Sequence, residues 1–210
     1  IYLIATSIEN HGVITAPDGS IVLAAGKTAT LMDSNRPFVQ VEITAGGEAV
    51  NVGQLVASGI GIYAGAVRVS GTVEATRAVM DESGRIRFKV SGDTTIASSA
   101  VIAANGISGG NVRVESGGTT WVDGSIEARG GDGMGGTIVL LGGQVGLSEQ
   151  SFVNASGTTG GGSVFIGGGQ QGRDPGLPNA LRTFIAPGAV VQADALERGA
   201  GGKIVVWSDE

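Results

Sequence analysis

Apolar residues alternate with polar or small residues in short segments along the whole chain, and the segments recur at a fixed interval. Copies begin at Ser58, Gly84, Gly110, Gly136 and Gly162, each 26 residues after the one before. A fixed period of this length is typical of solenoid proteins, in which each repeat packs against its neighbours.

Each repeat contains three alternating segments, and their apolar residues form columns because successive side chains of a strand face opposite ways. The first segment supplies two inward columns: Ile1, Ile21, Ile60, Ile86, Val112, Ile138, Val164, Ile204 and Leu3, Leu23, Ile62, Phe88, Val114, Leu140, Ile166, Val206. A later apolar-x-Ala motif ends in Ala16, Ala57, Ala75, Ala104, Ala128, Ala155 and Ala193. A weaker column lies six residues before the apolar member of that motif: Ile8, Val67, Ile96, Thr120, Leu147 and Ile185.

Three strands and about 26 residues per turn predict an all-β fold, a three-stranded parallel β-helix of about eight coils. Helical spacing of apolar residues is missing from every window, and frequent Gly disfavours helices. We expect Gly to supply the bends at the corners. A strand spacing of about 4.8 Å gives a rod about 34 Å long.

Two insertions interrupt the repeat, at about residues 30–48 and 167–183. The first contains the turn signal Asp33-Ser-Asn-Arg-Pro37 followed by alternating apolar residues, which predicts a hairpin leaning on the solenoid. The second is punctuated by Gly and Pro and predicts a loop. Both are either lateral decorations that stiffen the rod or contacts for a partner.

Composition excludes several kinds of site and partner. The 210 residues include 39 Gly, no Cys and a single His, so zinc-thiolate sites, disulfides and paired-histidine sites are excluded. A net charge of −6 argues against nucleic acid and against an anionic membrane surface. We interpret residues 1–210 as a single β-helix segment of a larger protein.

Glu74 and Glu127 are the candidate catalytic pair, because both occupy the outward middle position of the apolar-x-Ala motif. One coil, carrying Ala103, lies between them, so they are roughly 9–10 Å apart, a spacing that an inverting glycosidase can use. No aromatic platform for a sugar ring is evident nearby. A solvated face is the preferred interpretation, and we expect no enzyme activity, catalytic residue, cofactor or metal.

Arg87 and Arg113 stack on adjacent coils at outward positions, without an acidic cluster beside them. They predict either a solubilising edge or a stripe that binds an anionic ligand. With the two insertions, they give the candidate ligand or partner contacts Arg36, Arg87, Arg113, Gln171, Arg173, Asp174 and Asn179.

Several segments resemble the filamentous haemagglutinin-like exoproteins of Gram-negative bacteria. They include Ile1-Tyr-Leu-Ile-Ala-Thr-Ser-Ile-Glu-Asn-His-Gly12, Gly136-Thr-Ile-Val-Leu-Leu-Gly-Gly-Gln-Val-Gly146 and Gly201-Gly-Lys-Ile-Val-Val-Trp-Ser-Asp209. The resemblance covers essentially the whole chain and implies a right-handed β-helical rod used in adhesion. It also implies two-partner secretion, that is, export through a dedicated outer-membrane transporter. The family's secretion motif contains Asn-Pro, which this sequence lacks, so we place the segment beyond that motif.

The sequence therefore predicts a structural shaft or adhesion segment of a large secreted or surface-attached bacterial exoprotein. Its expected location is extracellular, at the surface of a Gram-negative cell, and its expected partners are the transporter and a glycan or protein receptor. No nucleic acid or membrane span is expected. Two alternatives stay open: a carbohydrate-binding or polysaccharide-cleaving β-helix, and a subunit of a fibre that self-associates end to end.

Overall fold

The computed structural model describes residues 1–31, 41–76 and 84–210. Throughout these ranges the regular structure is β-strand, apart from one short 3-10 turn at Gln170–Gly172. The strands in chain order are β1 (Tyr2–Ala5), β2 (Ile8–Asn10), β3 (Val13–Leu31), β4 (Val41–Gly46), β5 (Glu48–Asn51), β6 (Gln54–Ala64), β7 (Ala66–Val69), β8 (Thr72–Ala75), β9 (Arg85–Val90), β10 (Thr94–Ile96), β11 (Val101–Ala103), β12 (Asn111–Ser116), β13 (Thr119–Val122), β14 (Ser125–Glu127), β15 (Thr137–Leu141), β16 (Gln144–Leu147), β17 (Phe152–Asn154), β18 (Ser163–Ile166), β19 (Arg182–Ile185), β20 (Val190–Gln192) and β21 (Lys203–Val206).

The first segments of the repeat stack in parallel, in the order β1, β3, β6, β9, β12, β15, β18, β21. Their register matches the predicted columns: Ile60 pairs with Ile86, which pairs with Val112. The prediction of an all-β chain of parallel strands is confirmed. The stacking is solenoid-like and consistent with a parallel β-helix.

The apolar-x-Ala segments form a second parallel stack, β3, β6, β8, β11, β14, β17, β20. Strands β3 and β6 are long enough to belong to both stacks, since β3 pairs with β6 around Ile14 and again around Ile21. The remaining segments make a separate seven-stranded parallel sheet, β2, β5, β7, β10, β13, β16, β19.

The weaker column was predicted with the wrong register, because it mixes two inward positions. Thr94, not Ile96, pairs with Val67 and with Thr120. Ile96 instead belongs with a second set of inward residues, which is Val69, Ile96, Val122, Leu147 and Ile185. The corner between the seven-stranded sheet and the apolar-x-Ala segment is two residues longer in some coils than in others. Counting back six residues from the apolar-x-Ala motif therefore reaches the first inward position in some coils and the second in others.

The main core is one continuous cluster of largely apolar side chains, enclosed by the two stacks and the seven-stranded sheet. Its members include Ile60, Ile86, Ile102, Ile126 and Ile138, each at most 1% exposed. The core is made mainly of Val, Ile, Leu and Ala, and Phe88 is a larger, fully buried member.

The repeated glycine at the start of each first segment is explained by close approach between coils. A Cβ on Gly136 would overlap the carbonyl oxygen of Gly110, and a Cβ on Gly162 would overlap that of Gly136. The same carbonyls accept the next coil's ladder hydrogen bonds, from Thr137 N–H to Gly110 O and from Ser163 N–H to Gly136 O. These glycines do not have positive φ values, so close approach between coils, and not a left-handed backbone, requires Gly at these positions.

Candidate functional site

The outer face of the first stack carries the charged residues singled out in the sequence. On β9 and β12, Ile86 and Val112 are buried, so the alternate residues point outward. Arg87 pairs in register with Arg113, as the repeat predicts. One position earlier on the same face, Arg85 pairs with Asn111, which pairs with Thr137 of β15.

Glu115 joins the two stacked arginines. Arg87 Nη2 donates to Glu115 Oε2 at 3.2 Å, and Arg113 Nε donates to Glu115 Oε1 at 2.6 Å. Arg113 Nη2 also lies against Glu115 Oε1. Burial alone would raise the pKa of Glu115, but hydrogen bonds and charge from Arg113 and Arg87 outweigh it, and the pKa is lowered. The sequence interpretation missed this carboxylate beside the arginines.

Tyr63 borders the charged residues on one side. It is 1% exposed and packs with Val22 and Ala24, against which Ala29 also packs. Desolvation raises the pKa of the Tyr63 hydroxyl, opposed by the charge of Arg87. Strands β3 and β4 pair in antiparallel register, with Gly26 opposite Gly46 at one end and Leu31 opposite Val41 at the other. This antiparallel pair extends away from the parallel stack next to Tyr63.

The segment from Gly167 to Thr183 borders the same face on the other side. Gly176 O accepts a hydrogen bond from Arg113 Nη2 at 2.8 Å. Leu177 is 7% exposed and packs on Val139 and Leu141 of β15. The β3–β4 extension and the Gly167–Thr183 segment each connect a strand of the first stack, β3 or β18, to the next strand of the seven-stranded sheet. Strands β9 and β12, which carry Arg87 and Arg113, lie between β3 and β18 in the first stack.

The other candidate contacts lie mostly in this second segment. Asp174 Oδ1 accepts from Gly176 N–H at 2.9 Å, and Asn179 Nδ2 donates to Gly172 O at 3.2 Å, so both hold the shape of the loop. Gln171 and Arg173 are exposed. Arg36 lies outside the described residues.

A cavity of about 650 Å³ opens on the charged face. Its side-chain lining includes Arg85, Arg87, Asn111, Arg113 and Thr137, and its remaining wall is largely the backbone of Gly109, Gly110, Gly135 and Gly136. Arg85 was not singled out in the sequence, although it is two residues before Arg87 and period-two spacing places both on one face. Period-two spacing likewise places Glu115 on the same face as Arg113.

The carboxylate pair considered for catalysis has the predicted placement. Glu74 pairs with Ala103, which pairs with Glu127. Glu127 accepts hydrogen bonds from Asn105 Nδ2 at 2.9 Å and Ser125 Oγ at 3.1 Å. It also pairs with Arg129 at 3.0 Å, so its oxygens are held by the surrounding structure.

Within residues 1–31, 41–76 and 84–210, no three His, Cys, Asp or Glu side chains are grouped so that they could hold a metal ion. The same ranges contain no helix with the length and hydrophobicity of a membrane span.

The fold and its charged face define an all-β protein of stacked parallel strands with a basic cavity on one outer face. No protein-family model and no curated protein matches the chain. Among solved structures it is similar to the HMW1 secretion domain from Haemophilus influenzae, with 26% identity and a TM-score of 0.67. The match covers 97% of this chain and 48% of that one, so this chain spans about half of the neighbour.

Proposed function

We propose that residues 1–210 are a right-handed parallel β-helix of about eight coils, with two lateral insertions, that serves as a shaft or adhesion segment. The parent would be a large bacterial exoprotein of the filamentous haemagglutinin-like kind, secreted or held at the surface of a Gram-negative cell. No reaction is assigned to the segment.

The observation that carries this proposal is the similarity to the HMW1 secretion domain along 97% of the chain. The parallel stacking of the strands supports it independently. In a solenoid each coil is stabilised by its neighbours, and such a stack suits a long shaft that presents other parts of a protein. An extracellular location is part of the proposal and is supported by the neighbour being a secretion domain.

We further propose that the parent protein leaves the cell through a dedicated outer-membrane transporter. Our placement of the segment beyond the secretion motif depends on the missing Asn-Pro pair. Because the neighbour is itself a secretion domain and is longer than this chain, the alternative placement is within a region that the transporter contacts.

Export can be measured in the bacterium that encodes the chain, using an antibody against residues 1–210. We expect the antigen in the culture supernatant or on intact cells, and its loss from both when the outer-membrane transporter gene is deleted. A periplasmic enzyme serves as the control and should not change. Antigen confined to the cytoplasm, or export unaffected by the deletion, would contradict the proposal.

A fibre subunit is the alternative that the sequence leaves open. Light scattering across a range of concentrations tests it: growing oligomers support it, and a constant monomer mass rejects it.

A further inference from the structure

The cavity at the beginnings of β9, β12 and β15 has the donors of a binding site for an acidic sugar. Three arginines, Arg85, Arg87 and Arg113, line it, and one carboxylate, Glu115, pairs with two of them. Arg85 is exposed and forms no ion pair within the described ranges. The cavity therefore carries excess positive charge in a protein whose net charge is −6.

Several donors at this cavity lack a partner. Arg87 Nε is buried and has no hydrogen-bond partner among the described residues. A buried donor without a partner costs free energy, and such a group calls for a specific explanation. The buried Nε is closed to a ligand, whereas the exposed guanidinium of Arg85 on the same strand is open to an oxyanion in the cavity. Arginine is suited to this, since its planar fork of N–H groups matches carboxylate and sulfate oxygens.

Two neutral hydrogen-bonding side chains lie beside Arg85, in a row that runs across the strands. Arg85, Asn111 and Thr137 are in register on β9, β12 and β15, about 4.8 Å from strand to strand. Neither the Asn111 amide nor the Thr137 hydroxyl is used in a side-chain hydrogen bond within the described chain. A ligand that bears an oxyanion at one end and hydroxyls beside it fits this order of groups.

The size of the cavity agrees with such a ligand. Its volume of about 650 Å³ is within the range of roughly 300–1,000 Å³ found for small-molecule sites. Gly110 and Gly136 cannot be replaced by larger residues without overlap between coils, so this part of the wall stays free of side chains. The ion pairs to Glu115 hold Arg87 and Arg113 in place at the rim.

We propose that this cavity binds one unit of an acidic sugar, with its carboxylate or sulfate at Arg85 and Arg87 and its hydroxyls at Asn111 and Thr137. Glu115 is a positioning residue, because it acts through the two arginines. The inference deepens the proposed function, as it names a ligand class for an adhesion segment, but the export experiment does not depend on it.

Binding is measured with the purified 210-residue chain by NMR chemical-shift titration. The probes are glucuronate, glucose 6-sulfate, glucose and acetate. We expect saturable binding of one of the two acidic sugars, and the one that binds identifies the oxyanion. Glucose and acetate should bind at least about tenfold more weakly, because each offers only part of the contacts. No binding of either acidic sugar, or acetate binding as tightly as they do, would overturn the proposal.

Three variants separate the contributions. Arg85→Gln removes an exposed and unpaired charge, so it should keep the fold and weaken sugar binding at least about tenfold. Thr137→Val should weaken the acidic sugar several-fold and leave acetate unchanged. The matched control is Arg68→Gln, because Arg68 pairs with Glu48 on a different sheet, and it should change neither. Equal effects of Arg85→Gln and Arg68→Gln would reject the site and point to general electrostatic attraction.

Discussion

Glu115 accepts hydrogen bonds from Arg113 on its own strand and from Arg87 on the neighbouring strand, at 2.6 and 3.2 Å. The three side chains are 23–31% exposed, so the network is intermediate between a surface ion pair and a buried one. Glu115→Gln should therefore lower the free energy of unfolding by about 1–2 kcal/mol, between the values typical of exposed and buried pairs. Urea unfolding measures this.

The control for that variant is Glu48→Gln, which breaks the exposed pair with Arg68. A loss below about 1 kcal/mol is expected there. If both substitutions cost the same, the network around Glu115 contributes no more than an ordinary surface pair.

The same carboxylate should make stability depend on pH in the acid range. The pKa of Glu115 is lowered from its ordinary value of 4.5, so the folded state favours the charged form. Its contribution is present above the unfolded pKa and is lost as pH falls through the folded pKa. The stability difference between the native chain and Glu115→Gln should shrink as pH falls below 4.5. A difference that stays constant from pH 7 to about pH 3 would contradict this origin.

Gly136→Ala should destabilise the solenoid strongly, because the new methyl group would overlap the backbone of Gly110. Neighbouring coils cannot separate without breaking ladder hydrogen bonds, so we expect a loss of at least about 2–3 kcal/mol in urea unfolding. Gly201→Ala is the matched control, since a Cβ there meets nothing within 4 Å. Similar midpoints for the two variants would show that close approach does not select the repeated glycine.

The absence of a reaction is also a prediction. Glu127 is tied to Asn105, Ser125 and Arg129, which leaves it poorly placed to exchange a proton with a substrate. Incubation with acidic and neutral polysaccharides should release no reducing ends. Turnover that disappears in a Glu74→Gln, Glu127→Gln double variant would restore the polysaccharide-cleaving alternative.

The stack of first segments could be predicted because every one of its features repeats along the sequence. Period-two alternation fixes which residues face inward, and the 26-residue interval fixes which residues are neighbours, as in Ile86 and Val112. The seven-stranded sheet was harder. Corner lengths vary there, and Thr94 rather than an apolar residue occupies the core position, where its burial is complete. A fixed count of six residues before Ile102 therefore reaches Ile96 instead of Thr94.

The site was only partly predictable, for a different reason. Arg87 and Arg113 follow from the repeat, and alternation alone would have added Arg85 and Glu115. The contact from Arg113 to Gly176 depends on how a non-repeating loop folds back across the sheet. No periodic signal encodes that contact.

Both proposals require that successive coils stack in parallel register, and distances between spin labels test this most directly. The chain has no Cys, so paired Cys substitutions label cleanly. Outward positions Glu9, Arg68 and Phe184 share one row of the seven-stranded sheet. Phe184 lies six strand steps from Glu9 and four from Arg68. At about 4.8 Å per step, pulsed EPR should give backbone separations of about 29 and 19 Å after correction for the labels. Distances that do not increase with the number of steps would contradict the parallel solenoid and both proposals.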